Sequence, residues 1–188
     1  MTKRTDGKFV RRESDYYSTP ASAVLPLMPH LDPNQKFCEP FAGHGSLAFA
    51  LIDNGMTLGN WSDLEPKPQS RFSPIPKLDV MDVREEHVAN SQIIITNSIW
   101  PMPRAGGEPT ISVIHHLVAL RPSWFLLSSD FAHNVYWEKV GGFCEKIVRV
   151  GRVSWMFNGK AGFDNAAWYL FNNDADGEYE WARFYGNT

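Results

Sequence analysis

Two glycines and one carboxylate mark a place in the chain where the residue types could bind a ligand. Gly43 and Gly45 lie in a turn that leaves a short apolar run, and Asp63 follows the next apolar run. A glycine turn between a strand and its helix lets a ligand approach the backbone, and an acid after the second strand can bind ribose hydroxyls. The turn lacks the third glycine of the dinucleotide fingerprint, so a purely steric use of glycine is the alternative interpretation.

The elements that would position these residues alternate between strands and helices. Residues 93–96 are β-branched throughout and bounded by polar residues, which is typical of a strand buried on both faces of a parallel sheet. Hydrophobic patterns predict strands over 36–38, 58–62, 93–96, 124–127, 147–156 and 167–171, and helices over 46–54, 110–120 and 134–146. This order predicts an α/β fold built on a doubly wound sheet.

Length and composition limit the classes of protein that need to be considered. The chain of 188 residues has room for one domain, and 43% hydrophobic with 21% charged residues is ordinary for a globular protein. There is no long apolar run and no apolar stretch near the N-terminus, so the sequence predicts neither a membrane span nor a signal peptide, and a cytoplasmic location. Cys38 and Cys144 lack metal-type spacing, and we interpret both as buried small side chains.

Charge is distributed unevenly along the chain. Residues 1–12 contain five basic side chains and one carboxylate, a net charge of +4, whereas the whole chain carries −3. This balance argues against nucleic-acid binding by bulk electrostatics, because neutralising phosphates needs a basic surface. We predict a basic arm over 1–12, either a solvated tail or a set of phosphate contacts, ahead of a single domain over 13–188. The salt dependence of DNA binding separates the two interpretations of the arm.

Two proline-rich segments interrupt the predicted sheet. They cover 65–76 and 101–109, and each leaves the carboxyl end of a predicted strand. Ligands of open α/β sheets bind beyond these ends, which makes both segments candidates for substrate-facing loops. Plain connecting loops are the alternative.

The run Glu-Pro-Phe-Ala-Gly-His-Gly-Ser at 39–46 closely resembles the cofactor motif of S-adenosylmethionine-dependent N6-adenine DNA methyltransferases. Asp-Tyr-Tyr-Ser-Thr-Pro at 15–20 looks like the N-terminal motif of the short phage and prophage members, and the likeness extends over 14–172. It implies the Rossmann-like, mostly parallel sheet of class I methyltransferases with an antiparallel terminal strand, and S-adenosylmethionine as cofactor without a metal. It implies cofactor contacts from Tyr17, Thr19, Glu39, Pro40, Phe41, Ala42, Gly43, Gly45, Asp63, Asp79 and Asn97.

The segment Asn97-Ser98-Ile99-Trp100 stands where this family has its catalytic Asn/Asp-Pro-Pro-aromatic motif. The resemblance implies that the Asn97 side chain and the Ser98 carbonyl accept the two hydrogens of the adenine amine, while Trp100 stacks on the extruded base. Catalysis would rest mainly on alignment, because the methyl donor is already a charged sulfonium. The implied substrate contacts are Trp100, Pro101, Arg104, Asp130 and His133.

Ser98 and Ile99 depart from the two prolines of that motif, which normally stiffen the loop. Pro101 and Pro103 follow and could restore rigidity from the other side. Either a working variant or a decayed cofactor-binding or DNA-binding module fits the sequence, and we favour the working enzyme because the other family segments persist. An acceptor other than adenine, such as cytosine N4, RNA or a protein amide, is a further alternative. Separately, Asn97 as a strand-end turn former and Trp100 as a core aromatic are the purely structural interpretations.

Other chemistry-bearing residues point less clearly to a function. His115 and His116 lie side by side on a predicted helix without further metal-ligand spacing, so we interpret them as packing and surface residues. The Ser128-Ser129-Asp130 run with His133 lacks the glycines of a hydrolase nucleophile elbow, and helix capping is the alternative role of Asp130. The domain leaves no room for a separate target-recognition domain. We therefore expect a monomer or homodimer with low sequence specificity or a protein partner that supplies it.

Overall fold

The computed structural model describes residues 18–69, 71–100, 108–155, 162, 164–174 and 184–185. The basic arm over 1–12, Tyr17, Pro101 and Arg104 lie outside these residues, as do Pro103 and Met156. The strands are β1 (Lys36–Glu39), β2 (Thr57–Trp61), β3 (Ile93–Thr96), β4 (Ser123–Ser128), β5 (Cys144–Gly151), β6 (Ala166–Phe171) and β7 (Phe184–Tyr185). The helices are α1 (Ala21–Val24), α2 (Ser46–Asp53), α3 (Glu85–Val88) and α4 (Glu108–Val118).

All seven strands form one sheet in the order β2-β1-β3-β4-β6-β5-β7. Strands β1 to β4 run parallel to one another, whereas β6 pairs antiparallel with both β4 and β5. The strand order reverses direction at β1 and β3, so the crevice for a ligand is expected at the carboxyl ends of these two strands. The prediction of a doubly wound, mostly parallel sheet with an antiparallel strand late in the chain is confirmed.

The centre of the sheet is apolar on both faces. Every residue of β3 is buried, as its β-branched sequence predicted. On one face Trp124 and Trp168 pack with helices α1 and α2, and on the other Phe125 and Tyr169 pack with α4. The indole N–H of Trp168 donates to the carbonyl of Ala23 at 2.7 Å and fixes α1 to the sheet. The two layers of core therefore hold the ends of β1 and β3 rigidly in place.

The helix predicted over 134–146 is wrong. Short 3-10 turns occupy Val135–Lys139 and Gly141–Phe143, and β5 already begins at Cys144. Two consecutive glycines and the β-branched and aromatic residues before them are poor helix formers. A side chain at Gly141 would also place its Cβ 2.5 Å from the indole nitrogen of Trp137, so the chain needs glycine there to pack that ring.

Smaller differences concern the ends of elements. Strand β5 ends at Gly151, whose φ of 87° stops an extended strand well before residue 156. Cys38 is buried as expected, whereas Cys144 at the start of β5 is only partly buried. Within the described part of the chain, no helix is long and apolar enough to cross a membrane.

Candidate active site at the carboxyl ends of the strands

The glycine turn connects the end of β1 to the start of α2. Gly43 and Gly45 have positive φ values of 57° and 89°. Residues other than glycine rarely adopt this backbone conformation. At Gly45 an added Cβ would lie 2.8 Å from the ring of Phe49, and the N–H of Gly45 donates to the carbonyl of Ala42. Sterics therefore account for glycine at position 45, and both glycines of the turn are buried.

Asp63 follows β2 and holds the glycine turn directly. One carboxylate oxygen accepts the N–H of Gly43 at 2.7 Å, and the other accepts the N–H of Glu65 at 2.7 Å. A carboxylate has roughly four acceptor positions, so these two bonds leave capacity for the hydroxyls of a bound ribose. The structure thus brings the predicted ribose acid together with the predicted glycine turn.

Glu39 ends β1 with its side chain 1% exposed, and its Oε2 has no hydrogen-bond partner. Burial raises the pKa of this carboxyl well above its ordinary value, the negative charge of Asp63 raises that pKa further, and a hydrogen bond with the Ala48 backbone opposes both effects. Among the described residues, the hydroxyl of Thr96 at the end of β3 is the other buried side-chain atom without a partner. Both orphan atoms lie at the strand ends where a ligand is expected.

Replacing Glu39 with glutamine should stabilise the protein at neutral and alkaline pH. The folded state of the wild type holds a proton that the unfolded state releases, so its stability falls as pH rises above the ordinary glutamate pKa. The variant lacks this loss, and each kcal/mol recovered raises the melting temperature by about 2–4 °C. Thermal unfolding from pH 4 to pH 8 measures this effect, with the exposed Glu145 of β5 changed to glutamine (Glu145→Gln) as the control. A difference from wild type that stays constant over this pH range would contradict the assignment.

A cavity of about 330 Å³ opens at the same edge of the sheet. It combines the start of the glycine turn with the residues after β2, the segment before α3, the end of β3 and the first turns of α4. Its lining comprises Pro40, Phe41, Leu64, Asp79, Val80, Met81, Ile99, Pro109, Ser112 and Val113. The volume is at the lower end of the range for small-molecule sites.

The cavity is apolar apart from a few polar groups. Leu64, Met81 and Ile99 are 54%, 43% and 41% exposed, so three large hydrophobic side chains surround one opening. Asp79 is the carboxylate in the lining, and one of its oxygens accepts the N–H of Met81 at 2.9 Å. Exposed hydrophobic patches of this kind mark binding sites. A flat apolar ring with an amine at its edge would suit the apolar lining and its one carboxylate.

Asn97 stands at the end of β3 between two other predicted site residues. Its amide nitrogen donates to the hydroxyl of Thr19 at 3.1 Å, and its Oδ1 accepts the indole N–H of Trp100 at 3.3 Å. The backbone N–H of Thr19 in turn donates to the hydroxyl of Ser46 at 3.0 Å, which ties the segment before α1 to the helix after the glycine turn. Asn97 therefore has a fixed orientation, and one of the two acceptor positions of its Oδ1 is taken by Trp100.

Besides Asn97, Trp100 has an aromatic neighbour that the sequence did not reveal. The rings of Trp100 and Trp155 stand perpendicular with their centres 5.6 Å apart. Trp155 lies in the connection between β5 and β6, far from Trp100 in sequence, and its place near the end of the strand predicted over 147–156 gave no signal of a function. Trp100 is half-buried, so it is neither a fully enclosed core residue nor a free surface residue.

The remaining predicted substrate residues are less closely connected. Asp130 and His133 are both exposed in a 3-10 turn at the end of β4, the neighbour of β3. The capping residue of that turn is Ser128, whose hydroxyl accepts the N–H of Asp130, so the alternative role of Asp130 as the cap is wrong. Within the described residues, no hydrogen bond or ring contact joins Asp130 or His133 to Asn97, and their substrate role stays a prediction.

The paired histidines of α4 have packing roles. The Nε2 atom of His116 lies 2.9 Å from the carbonyl oxygen of Val83, and the ring of His115 stands perpendicular to Phe143. No group of three potential metal ligands occurs in the described ranges.

The residues present fit S-adenosylmethionine by their chemistry. An apolar cavity with one carboxylate suits a nucleobase, Asp63 with free acceptor capacity suits ribose hydroxyls, and the orphan oxygen of Glu39 marks a polar group without its partner. The expected contacts from Pro40, Phe41 and Asp79 line the cavity itself.

No protein-family model and no curated protein sequence matches this chain. Several solved structures do. A putative RNA methyltransferase from Pyrococcus horikoshii aligns with a TM-score of 0.55 at 12% identity, over 87% of this chain and 90% of that one. A putative hemolysin from Lactococcus lactis gives 0.54 at 10% identity, over 87% and 90%. The modification subunit of a putative type I restriction enzyme from Vibrio vulnificus YJ016 gives 0.51 at 10% identity, over 85% and 45%.

This chain spans 45% to 55% of the length of three of the solved chains that it matches, including the restriction-enzyme subunit. At identities this low, the likeness concerns the fold alone. The sheet order and the matches together show the Rossmann-like fold of class I methyltransferases.

Proposed function

We propose that this chain, with its class I methyltransferase fold, transfers a methyl group from S-adenosylmethionine to the N6 amine of an adenine in DNA. One observation carries the proposal. The cavity lined by Phe41 and Asp79 shares its wall with Ile99, which belongs to the same four-residue segment as Asn97 and Trp100. Cofactor and target base would therefore meet across a single backbone segment, as an in-line transfer requires.

The cofactor half of the site uses three parts of the chain. Asp79 and Phe41 would hold the adenine ring in the cavity, and Asp63 would accept the ribose hydroxyls. Thr19 and Glu39 would serve the methionine half, together with Tyr17. When bound, S-adenosylmethionine supplies a methyl group on a positively charged sulfur.

The chain's own residues would act on the target amine. The lone pair of adenine N6 is delocalised into the ring, so the amine becomes a nucleophile only when acceptors draw on its hydrogens. The Oδ1 of Asn97 and the backbone carbonyl of Ser98 would provide these acceptors. Trp100 donates to that Oδ1 in the structure, and the second lone pair of the oxygen would accept a hydrogen of the base amine.

Trp100 and Trp155 together would hold the extruded base. Trp100→Ala removes a stacking face that contributes about 1–3 kcal/mol per base, so DNA affinity or base extrusion should fall by roughly 5-fold to 150-fold. Trp100→Phe keeps a ring face and frees Asn97 from the indole N–H, so it should recover most of the activity. Fluorescence of 2-aminopurine at the target position measures extrusion, with Trp137→Phe as the control. Equal losses in the phenylalanine and alanine variants would remove stacking from the account.

The fold alone does not decide the acceptor, because proteins with this fold act on several kinds of acceptor. The resemblance to the DNA methyltransferase motifs favours DNA over RNA. One matching structure is titled a putative RNA methyltransferase and another a restriction-enzyme modification subunit. Transfer of tritium from labelled cofactor to a panel of duplex DNA, single-stranded DNA and RNA tests the choice. Label that enters RNA and leaves both DNA forms unlabelled would overturn the DNA assignment while keeping the methyltransferase.

A second candidate function is a binding module that retains the cofactor pocket without transfer. Two observations favour it: Ser98 and Ile99 replace the motif prolines, and the indole N–H of Trp100 takes one of the two acceptor positions of the Asn97 Oδ1. Under this alternative the protein binds S-adenosylmethionine in calorimetry, while no acceptor in the tritium panel gains label.

A further inference from the structure

The segment Asn97-Ser98-Ile99-Trp100 has more backbone freedom than its counterpart in the resembling family. A proline fixes its own φ near −65°, and prolines at positions 98 and 99 would remove two of the soft dihedral angles of this segment. Ser98 and Ile99 leave both angles free. A working enzyme therefore needs another device to hold the carbonyls and the Asn97 side chain in one arrangement.

The structure contains a hydrogen bond that can do this. The hydroxyl of Thr110 donates to the backbone carbonyl of Ile99 at 3.1 Å, across the connection that leads from β3 to α4. The hydroxyl of Ser98 lies 3.4 Å from the same carbonyl and adds a weaker second contact. Thr110 is 1% exposed, so the donor side of this partly buried bond is shielded from water, while Ile99 on the acceptor side is partly exposed.

Thr110 also connects the segment to the wall of the cavity. It lies in the first turn of α4 next to Pro109, which lines the cavity together with Ile99 and Ser112. Glu108 at the start of the same helix forms an ion pair with Lys139. Because this pair is exposed, the buried side chains of Ile111 and Ile114 contribute more to holding α4 in place, and Thr110 transmits that position to the peptide between Ile99 and Trp100.

We propose that Thr110 is a positioning residue, whose hydroxyl bond to Ile99 replaces the missing prolines and sets Asn97 and Trp100 against the cofactor cavity. This inference rests on the proposed function. It predicts an effect of Thr110 on the rate of transfer rather than on cofactor binding.

Thr110→Val tests the proposal because valine keeps the shape and loses the hydroxyl. Single-turnover methyl transfer to DNA should slow by about tenfold, since a small misplacement of reacting groups is costly, while calorimetric affinity for S-adenosylhomocysteine changes by less than about threefold. Thr110→Ser restores the donor and should return the rate to within about threefold of wild type. Thr110→Ala, with its good helix former, replaces the valine variant if the latter does not fold.

Ser123→Ala is the matched control. The hydroxyl of Ser123 is also buried and donates to a backbone carbonyl, that of Arg121 at 2.8 Å, at the opposite end of the sheet. It should lower the melting temperature without slowing transfer. An active wild type with unchanged rates in Thr110→Val and Thr110→Ala, or a loss that serine does not rescue, overturns the role of Thr110 alone. A wild type that labels no nucleic acid overturns both this role and the proposed function.

Discussion

Asn97→Ala should reduce methyl transfer by roughly a hundredfold or more, with a much smaller effect on cofactor binding. The substitution removes an acceptor whose hydrogen bond strengthens as N6 becomes tetrahedral and positive, so the loss appears in the transition state. It also removes the hydrogen bonds of Asn97 to Thr19 and Trp100, which frees both neighbours. Single-turnover kinetics with tritiated cofactor measure the rate, and calorimetry measures cofactor affinity.

Asn97→Asp is the informative companion variant. Aspartate keeps an oxygen acceptor at the same place, and the hydroxyl of Thr19 can donate to it instead of accepting from the amide. We expect this variant to retain far more activity than alanine. Asn54→Ala, which removes a hydrogen bond from the end of α2 to the carbonyl of Ala50, serves as a control with no effect on rate. Activity in Asn97→Ala close to that of the wild type would remove Asn97 from the catalytic site.

Asp63→Ala should weaken S-adenosylmethionine binding by at least tenfold and on the order of a hundredfold. Two charge-assisted hydroxyl contacts of about 1.5–3 kcal/mol each are lost, with partial compensation by water. The structure adds a second cause, because the N–H groups of Gly43 and Glu65 lose their acceptors and the glycine turn loses its support. Calorimetry with the cofactor measures the change.

Asp63→Asn separates the two causes. The amide keeps an oxygen for one of the two backbone N–H groups but loses the charge, so its affinity should fall between those of the wild type and the alanine variant. Asp32→Ala is the matched control, since that carboxylate also accepts a backbone N–H, from Asn34, ahead of β1. Unchanged cofactor affinity in Asp63→Ala would take this acid out of the cofactor site.

Much of the sheet follows from local sequence patterns. A run of β-branched residues such as 93–96 has few stable places other than the middle of a parallel sheet, and the structure buries all four. The helix predicted over 46–54 ends at Asp53 with Asn54 as its cap, because Gly55 adopts a φ of 96° that stops a helix. These features depend on residues that are neighbours in the chain.

The features that the sequence did not predict have a different physical origin. The predicted helix over 134–146 counted apolar residues and gave too little weight to Gly141, whose lack of a side chain the ring of Trp137 requires. The proline-rich segment over 65–76, a candidate substrate-facing loop, packs on α2 through Phe72 on Phe49 and Arg71 with Asp53, and its substrate role stays a prediction. Such choices depend on contacts between elements, which single-sequence patterns do not contain.

The residues of the candidate site also divide into those that local sequence patterns indicate and those that only contacts between elements reveal. The glycine turn and Asp63 could be proposed from residue type and spacing, and Asn97 from its resemblance to the family's catalytic motif. The contact of Trp155 with Trp100 and the hydroxyl bond of Thr110 to Ile99 could not be proposed, because each joins segments that only the folded sheet brings together. A threonine in an apolar helix gives no sequence signal of the carbonyl it will bind.

The central claim is that the cavity and the segment at 97–100 form one methyl-transfer site for adenine. Plasmid DNA incubated with the protein and S-adenosylmethionine, then digested to nucleosides for mass spectrometry, tests it most directly. The account predicts N6-methyladenine from the wild type and a strong reduction with Asn97→Ala. Finding no methylated nucleoside, with cofactor binding intact in calorimetry, or finding N4-methylcytosine as the product, would contradict it.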